Sequence, residues 1–135
     1  MRSIICLTAA LLLCAGSAQA LAGPDDDTDA APKPAAFQLN ETTWTFTDDK
    51  LGKVEESIDA DGNYISQTAG GKHLDHGVAA MKDDKACFTS AMTKDGQICW
   101  SVSPVAIGHR LHSVNDKGDK LTVTRVAYTP MQMPH

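Results

Sequence analysis

The sequence predicts an all-β domain, a small antiparallel meander of up to eight short strands that forms a closed or half-open barrel. Turn-forming residues, chiefly Asp, Asn, Gly and Pro, recur at short intervals between Asp48 and Lys120, and these residue types tolerate or preset the dihedral angles of tight turns. The segments between them, about five to nine residues long, are rich in Thr, Val, Ile and aromatic residues, which is typical of strands. No window long enough for a helix repeats apolar residues at spacings of three and four.

The first segment, residues 1–20, has the layout of a secretory signal peptide. Arg2 supplies the charged start, an apolar run follows, and Ala18-Gln19-Ala20 forms a small-x-small cleavage site. The run is shorter than the roughly 20 apolar residues of a permanent membrane anchor. Cys14 suggests lipid modification as an alternative, but the bulky Leu13 precedes it. We therefore expect a periplasmic or secreted protein that is not inserted in the membrane after the signal is removed.

The next segments divide the mature chain into a linker, one domain and a tail. Residues 21–36 contain three prolines and four aspartates and few residues to bury, so they predict a disordered acidic linker. Residues 37–130 are expected to form the barrel-like domain, and residues 131–135 a flexible tail. From Gln38 onward there are 13 acidic and 10 basic residues, and this balance, without a basic stripe, argues against nucleic acid as a partner.

Strand alternation assigns side chains to the two faces of the sheet, because neighbouring side chains point in opposite directions. Trp44 and Phe46 share one face. Cys87 and Cys99 lie on the faces opposite Phe88 and Trp100, so the two cysteines can meet across a hairpin. They are also the two cysteines that remain after the signal is removed, and an oxidising compartment favours their pairing. We expect one disulfide, Cys87–Cys99, rather than a metal-binding or redox-active pair of thiols.

Closure of the sheet would remove two unpaired strand edges. The chain contains only two Trp, three Phe and two Tyr residues, so any enclosed interior should be small. The composition therefore predicts a filled or half-open barrel and disfavours a cavity for a large lipid.

Some polar residues fall on faces that alternation assigns to the interior. Val105, Ile107, His109 and Leu111 share one face, as do Val123 and Arg125 and, on another strand, Val54 and Glu56. Buried charges are costly unless they are paired. We expect either a structural Glu56–Arg125 ion pair with His109 nearby, or residues exposed near the strand ends. The functional alternative is a ligand pocket of Glu56, His109 and Arg125, at whose mouth His109 and Arg125 bind a small anion.

Two histidine clusters raise the question of a metal site. In "KHLDH", His73, Asp75 and His76 could converge on zinc or copper if the segment curves as a turn, since imidazole and carboxylate suit these ions. The alternative is a pair of solvent-facing histidines at the start of a strand. The tail residues Met131, Met133 and His135 suggest copper handling as a further alternative to a frayed terminus.

The segment Gly77–Val102 resembles a module of small exported bacterial proteins of uncharacterised function. In that module a Gly-x-Trp/Ala strand precedes a "dgk-x-C-x-T" strand and a "G-x-x-C-[WY]" strand. Here "HGVAAMKDDKACFTS" and "GQICWSV" carry the pattern, with Val78-Ala79 where a tryptophan is common. The resemblance implies a meander with one disulfide and implies no activity or site residues.

The functional expectation is a non-enzymatic periplasmic or secreted β-domain that binds a small ligand or an envelope protein. The alternative is a zinc- or copper-binding protein that uses His73, Asp75 and His76. An enzyme is a third possibility, but no nucleophile elbow, phosphate loop or H-E-x-x-H motif supports catalysis. Apart from the metal alternative, no cofactor is expected.

Overall fold

The computed structural model describes residues 37–134, so the expectations for the signal peptide (1–20), the linker (21–36) and His135 lie outside the described residues. The described part of the chain forms eight strands. They are β1 (Thr42–Asp48), β2 (Gly52–Ile58), β3 (Asn63–Thr68), β4 (His73–Lys82), β5 (Lys85–Ser90), β6 (Gln97–Ser101), β7 (Arg110–Val114) and β8 (Lys120–Val126). Between residues 37 and 134 there is no helix with the length and apolarity needed to cross a membrane.

All eight strands belong to one antiparallel sheet with the order β6-β5-β4-β3-β2-β1-β8-β7. The edge strands β6 and β7 approach each other through a single bridge between Trp100 and Asn115. The Ser113 hydroxyl also donates a hydrogen bond to the Ser101 carbonyl oxygen at 2.7 Å. The sheet is therefore a nearly closed barrel, and the predicted all-β class is confirmed.

On β1 and β2 the side chains that alternation predicted to face the interior do so. Trp44 pairs with Glu56 and Phe46 with Val54, and all four point to the inner face. The buried core lies on this face, where water is excluded from one side of each strand. Its buried members are Leu39, Trp44, Ile58, Tyr64, Ala79 and Ala86.

The β5–β6 hairpin has the predicted register and the predicted disulfide. Cys87 lies opposite Cys99, and Thr89 lies opposite Gln97. The sulfur atoms of Cys87 and Cys99 are bonded, at a sequence separation of 12. In the chain-entropy description, a cross-link over a loop of this length stabilises the fold by about 3 kcal/mol.

The turn "DADGN" is the hairpin connection between β2 and β3. One Asp59 carboxylate oxygen accepts the backbone N–H groups of Asp61 and Asn63 at 2.9 and 2.8 Å. Gly62 adopts a φ of 86°, and a Cβ atom there would lie 2.9 Å from the Ala79 carbonyl oxygen. Both features require the Asp and Gly of this turn.

The segment between β6 and β7 differs from the alternation prediction. β7 begins at Arg110, so Val105, Ile107 and His109 do not belong to a strand. Val105 packs against the core, but the assignment of Ile107 and His109 to the inner face was wrong, because both are exposed. Ile107 is 60% exposed. Pro104 cannot donate to a strand ladder, which explains why regular pairing is absent here.

The chain after β8 returns over the outer face of the sheet. The Thr129 backbone N–H donates to the Thr43 hydroxyl at 2.8 Å, and the Ser57 hydroxyl donates to the Thr129 carbonyl oxygen at 2.6 Å. Thr43 and Ser57 are buried although they point away from the barrel interior. This contact satisfies their hydroxyl groups and attaches the end of the domain to β1 and β2.

Candidate functional site: a cavity inside the barrel

The inner face of the barrel lines a half-open cavity of about 460 Å³. Strands β1, β3 and β5 to β8 supply a mainly apolar wall. Its larger apolar members are Trp44, Phe46, Tyr64, Phe88, Ile98, Trp100, Leu111, Leu121 and Val123. Of the two predicted forms, a filled or a half-open barrel, the filled one is therefore not observed in the described part of the chain.

Small residues on the inner face explain why space remains. Ser66, Gly77, Ala86 and Ser90 occupy inward positions on β3, β4 and β5, where a barrel that is filled by side chains would carry larger ones. The aromatic rings therefore form the wall of the cavity instead of meeting at its centre.

The cavity reaches the surface beside the loop between β5 and β6. Thr93, Asp95 and Gly96 of this loop line the cavity and are exposed. The Ser90 hydroxyl accepts the backbone N–H groups of Met92 and Thr93 at 3.0 and 3.1 Å. The loop at the mouth is therefore held at its base by Ser90, which is the last residue of β5.

Asp75 points into the barrel and is surrounded by hydrogen-bond donors. Its Oδ2 accepts the Tyr64 hydroxyl at 2.8 Å, and its Oδ1 accepts the Ser90 hydroxyl at 2.6 Å. Oδ1 also accepts the backbone N–H of His76 at 2.8 Å. Three donors on two oxygen atoms hold this carboxylate in one orientation.

Tyr64 owes its position to a glycine on the neighbouring strand. Gly77 lies opposite Tyr64, and a Cβ atom at Gly77 would come within 2.9 Å of the tyrosine ring. The ring also packs edge-on against Phe88, with centroids 5.3 Å apart. Burial and the hydrogen bond to Asp75 raise the pKa of Tyr64, so the hydroxyl keeps its proton at neutral pH and serves as a donor.

Glu56 is the second carboxyl group of the interior, and it differs from Asp75 in having no donor. The carboxyl lines the cavity, and no described residue donates a hydrogen bond to it. Burial and the neighbouring negative charge of Asp75 raise the pKa of Glu56 to about 7. Near neutral pH this group therefore exists in both protonation states.

The expected Glu56–Arg125 ion pair does not form. Trp44 lies between the two residues, paired with Glu56 on one side and with Arg125 on the other, and two strand spacings separate their backbones by about 10 Å. Arg125 instead donates to the Val105 carbonyl oxygen at 2.9 Å and lies 5.9 Å from the centre of the Phe37 ring.

The predicted pocket of Glu56, Arg125 and His109 is therefore divided in the structure. Of the three, only Glu56 lines the cavity. His109 is exposed and precedes β7. The salt bridge found among residues 37–134 joins Lys85 and Asp116 at 2.8 Å, on the outside of the barrel.

A β-bulge separates the proposed metal ligands. Asp75 pairs with Ser66 on the inner face, and the register between β3 and β4 then shifts, so that Gln67 pairs with His73 and Leu74 is passed over. His73 and His76 pair with Gln67 and Ile65, which places both imidazoles on the outer face. Among the described residues no group of three His, Cys, Asp or Glu side chains is placed to hold a metal ion.

The two histidines nevertheless lie side by side. Their ring centroids are 5.2 Å apart. His73 Nε2 and His76 Nδ1 are both buried and have no hydrogen-bond partner in the described structure. Of the suggested tail ligands, Met131 is half-buried, Met133 is 43% exposed, and His135 lies outside the described residues.

Sequence reasoning missed Asp75, Tyr64 and Ser90 as members of an interior polar group. The inward position of Tyr64 could have been predicted from the sequence. The turn at Asp59–Asn63 fixes the β2–β3 register, which places Tyr64 and Ser66 beside Ile58 and Glu56. Asp75 shares the inner face with Gly77 by regular alternation, whereas the bulge between Asp75 and His73 turns His73 to the outer face, and no alternation pattern marks that bulge. Comparison of the chain with protein-family models, with curated proteins and with solved structures found no match.

Proposed function

We propose that this protein is a non-enzymatic binding protein of the periplasm or extracellular space that holds a small, mainly apolar molecule inside its barrel. The observation that carries the proposal is the 460 Å³ cavity with aromatic and aliphatic walls and a few polar groups. Small-molecule sites in proteins have this composition and volumes of about 300–1,000 Å³. The cavity is near the lower end of that range, which favours a compact ligand over a long-chain lipid.

Two features support an exported location. Residues 1–20 have the layout of a secretory signal. The Cys87–Cys99 disulfide is of a kind that persists mainly in oxidising compartments. An envelope protein is the alternative partner, and the interior cavity favours the small molecule instead.

A neutral fluorescent probe, N-phenyl-1-naphthylamine, tests whether the cavity binds apolar molecules. The wild-type protein should bind it with an increase in fluorescence. Leu111→Trp adds a large ring on the inner face of β7 and should weaken binding by roughly tenfold or more, because it fills the space.

The matched control is Val114→Trp on the same strand, where the side chain is 42% exposed. This variant should bind the probe as the wild type does. Absence of probe binding by the wild type, or equal binding by the two variants with both folded by circular dichroism, would rule out the cavity as the site.

A second candidate function is binding of zinc or copper by His73 and His76. It is favoured by the two buried, unpartnered ring nitrogens on neighbouring imidazoles. These nitrogens are the kind of atom that a zinc or copper ion takes as ligands. With two protein ligands, the remaining coordination positions would be filled by water, so we expect modest affinity.

Calorimetric titration with each metal ion tests this candidate. We expect one ion per chain, and loss of binding in both His73→Ala and His76→Ala. His112→Ala is the control, since His112 lies on the exposed outer face of β7. Retention of binding in both histidine variants, or no binding by the wild type, would exclude the site.

A further inference from the structure

We propose that the ligand of the cavity carries a positively charged amino group that pairs with Glu56. This inference rests on the proposed binding function and specifies the chemical class of the ligand as an aromatic or aliphatic amine.

The cavity wall contains acidic residues and, among the described residues, no basic ones. Its ionisable members other than Tyr64 are all carboxyl groups, and no Lys, Arg or His is among the lining residues. These carboxyl groups belong to Asp48, Glu56, Asp75 and Asp95. An anionic ligand would be repelled by this wall, whereas a cation would be attracted to it on approach and after binding.

Within this wall, Glu56 is the carboxyl group that is both deep and open. The oxygens of Asp75 already accept the Tyr64 and Ser90 hydroxyls and a backbone N–H. The Glu56 carboxyl accepts no hydrogen bond from a described residue. A carboxylate that faces a mainly apolar cavity without a protein donor is poorly stabilised, and an ammonium group supplies three donors together with the compensating charge.

Arg125, the expected partner of Glu56, is engaged elsewhere. Arg125 shares the inner face but lies beyond Trp44 and donates to Val105. The site therefore has an excess of negative charge that an amine would balance.

The apolar walls determine the rest of the ligand. Ile98, Trp100, Leu111 and Val123 line the cavity from strands other than β2. A ligand with its amino group on Glu56 would place a hydrophobic body against them. The fit is to an aryl or alkyl amine of modest size rather than to a polyamine.

The pH dependence of amine binding tests the role of Glu56 in the wild-type protein, without a variant. A bound ammonium group favours the ionised carboxylate, so amine binding should weaken as the pH falls below about 7, the pKa of Glu56 in the empty cavity. The other charged or titratable groups that face this interior are Asp48, Tyr64, Asp75, Asp95 and Arg125. The raised pKa of Tyr64 keeps its hydroxyl neutral and the lowered pKa of Asp48 keeps its carboxylate ionised across this range, so neither reproduces the effect.

The test compares three ligands of one shape: 1-naphthylmethylamine, 1-naphthylmethanol and 1-naphthoate. Their affinities are measured by displacement of the neutral fluorescent probe. For the wild type at about pH 8 we expect the amine to bind roughly tenfold or more tighter than the alcohol, and the carboxylate to bind weakest. At about pH 5.5 the advantage of the amine over the alcohol should shrink by a similar factor.

Glu56→Gln should abolish the preference for the amine while it leaves alcohol binding nearly unchanged. The matched control is Glu55→Gln, which alters the neighbouring residue on the outer face of β2 and should retain the preference. Equal binding of amine and alcohol by the wild type, or a preference that survives in Glu56→Gln, overturns the inference but not the cavity. If neither probe nor ligand binds the wild type, the proposed function itself fails. If Glu56→Gln does not fold, the pH dependence of the wild type decides.

Discussion

The Tyr64 hydroxyl donates a hydrogen bond to Asp75 Oδ2 at 2.8 Å, and this contact joins β3 to β4 inside the barrel. The same carboxylate accepts the Ser90 hydroxyl, which in turn accepts two backbone N–H groups of the loop at the cavity mouth. Three strands and the mouth are therefore connected through one interior carboxylate.

Removal of the Tyr64 hydroxyl should destabilise the domain. In Tyr64→Phe the ring keeps its contact with Phe88, but Asp75 loses one of its donors. A hydrogen bond to a charged group contributes about 1.5–3 kcal/mol, and we expect a loss of that order in the free energy of unfolding, measured by urea denaturation. Tyr128→Phe, outside the strands, serves as the control. Equal stability of Tyr64→Phe and wild type would mean that water replaces the donor without cost.

Gly77 should not tolerate a side chain. A Cβ atom there would overlap the Thr89 carbonyl oxygen and press on the Tyr64 ring, so Gly77→Ala must displace either β5 or the tyrosine. Overpacking of this kind costs about 1–3 kcal/mol or more. Gly70→Ala is a matched control, because the nearest atom to its added Cβ is 3.8 Å away. Thermal melts of the two variants should differ clearly, and similar melting temperatures would contradict the close approach.

Glu56 should make the empty protein less stable as the pH rises. Below its ordinary pKa of 4.5 both the folded and the unfolded chain hold the proton. Between 4.5 and about 7 the unfolded chain releases the proton while the folded chain retains it, so the free energy of unfolding falls. At about 1.4 kcal/mol per pKa unit, the total loss is roughly 3 kcal/mol and is complete above the folded pKa.

Glu56→Gln should remove this loss. The variant and the wild type should have similar stability at about pH 4, and the variant should be the more stable by roughly 3 kcal/mol at about pH 8. Urea denaturation at both pH values measures the difference, with Glu55→Gln as the control for the other titrating groups. A constant difference across the pH range would show that Glu56 titrates normally.

Loss of the disulfide should destabilise the fold without changing its topology. The double variant Cys87→Ala/Cys99→Ala should lose about 3 kcal/mol, which corresponds to a fall in melting temperature of roughly 4–8 °C for each kcal/mol in a domain of this size. A reducing agent should lower the melting temperature of the wild type and leave that of the variant unchanged. An unaltered wild-type melting temperature under reduction would argue that hairpin pairing alone holds β5 and β6 together.

Much of the fold followed from local patterns. The alternation of Trp44 and Phe46 with threonines identified the inner face of β1, and the parity of Cys87 and Cys99 predicted the β5–β6 register residue by residue. The candidate site was less accessible. Glu56 was placed inside, but its predicted partner Arg125 is kept away by Trp44, because alternation identifies a shared face without giving the order of strands across it.

The sequence by itself determined the all-β class, the turns and the disulfide, because each depends on residues that are neighbours in the chain or across one hairpin. The tertiary structure alone decided that β1 pairs with β8, that β6 approaches β7, and that a bulge in β4 turns His73 to the same outer face as His76, away from Asp75. The first feature joins strands that are far apart in the chain, and the other two interrupt the regular pairing of consecutive strands. Side-chain identity along one strand therefore does not reveal them until the barrel is assembled.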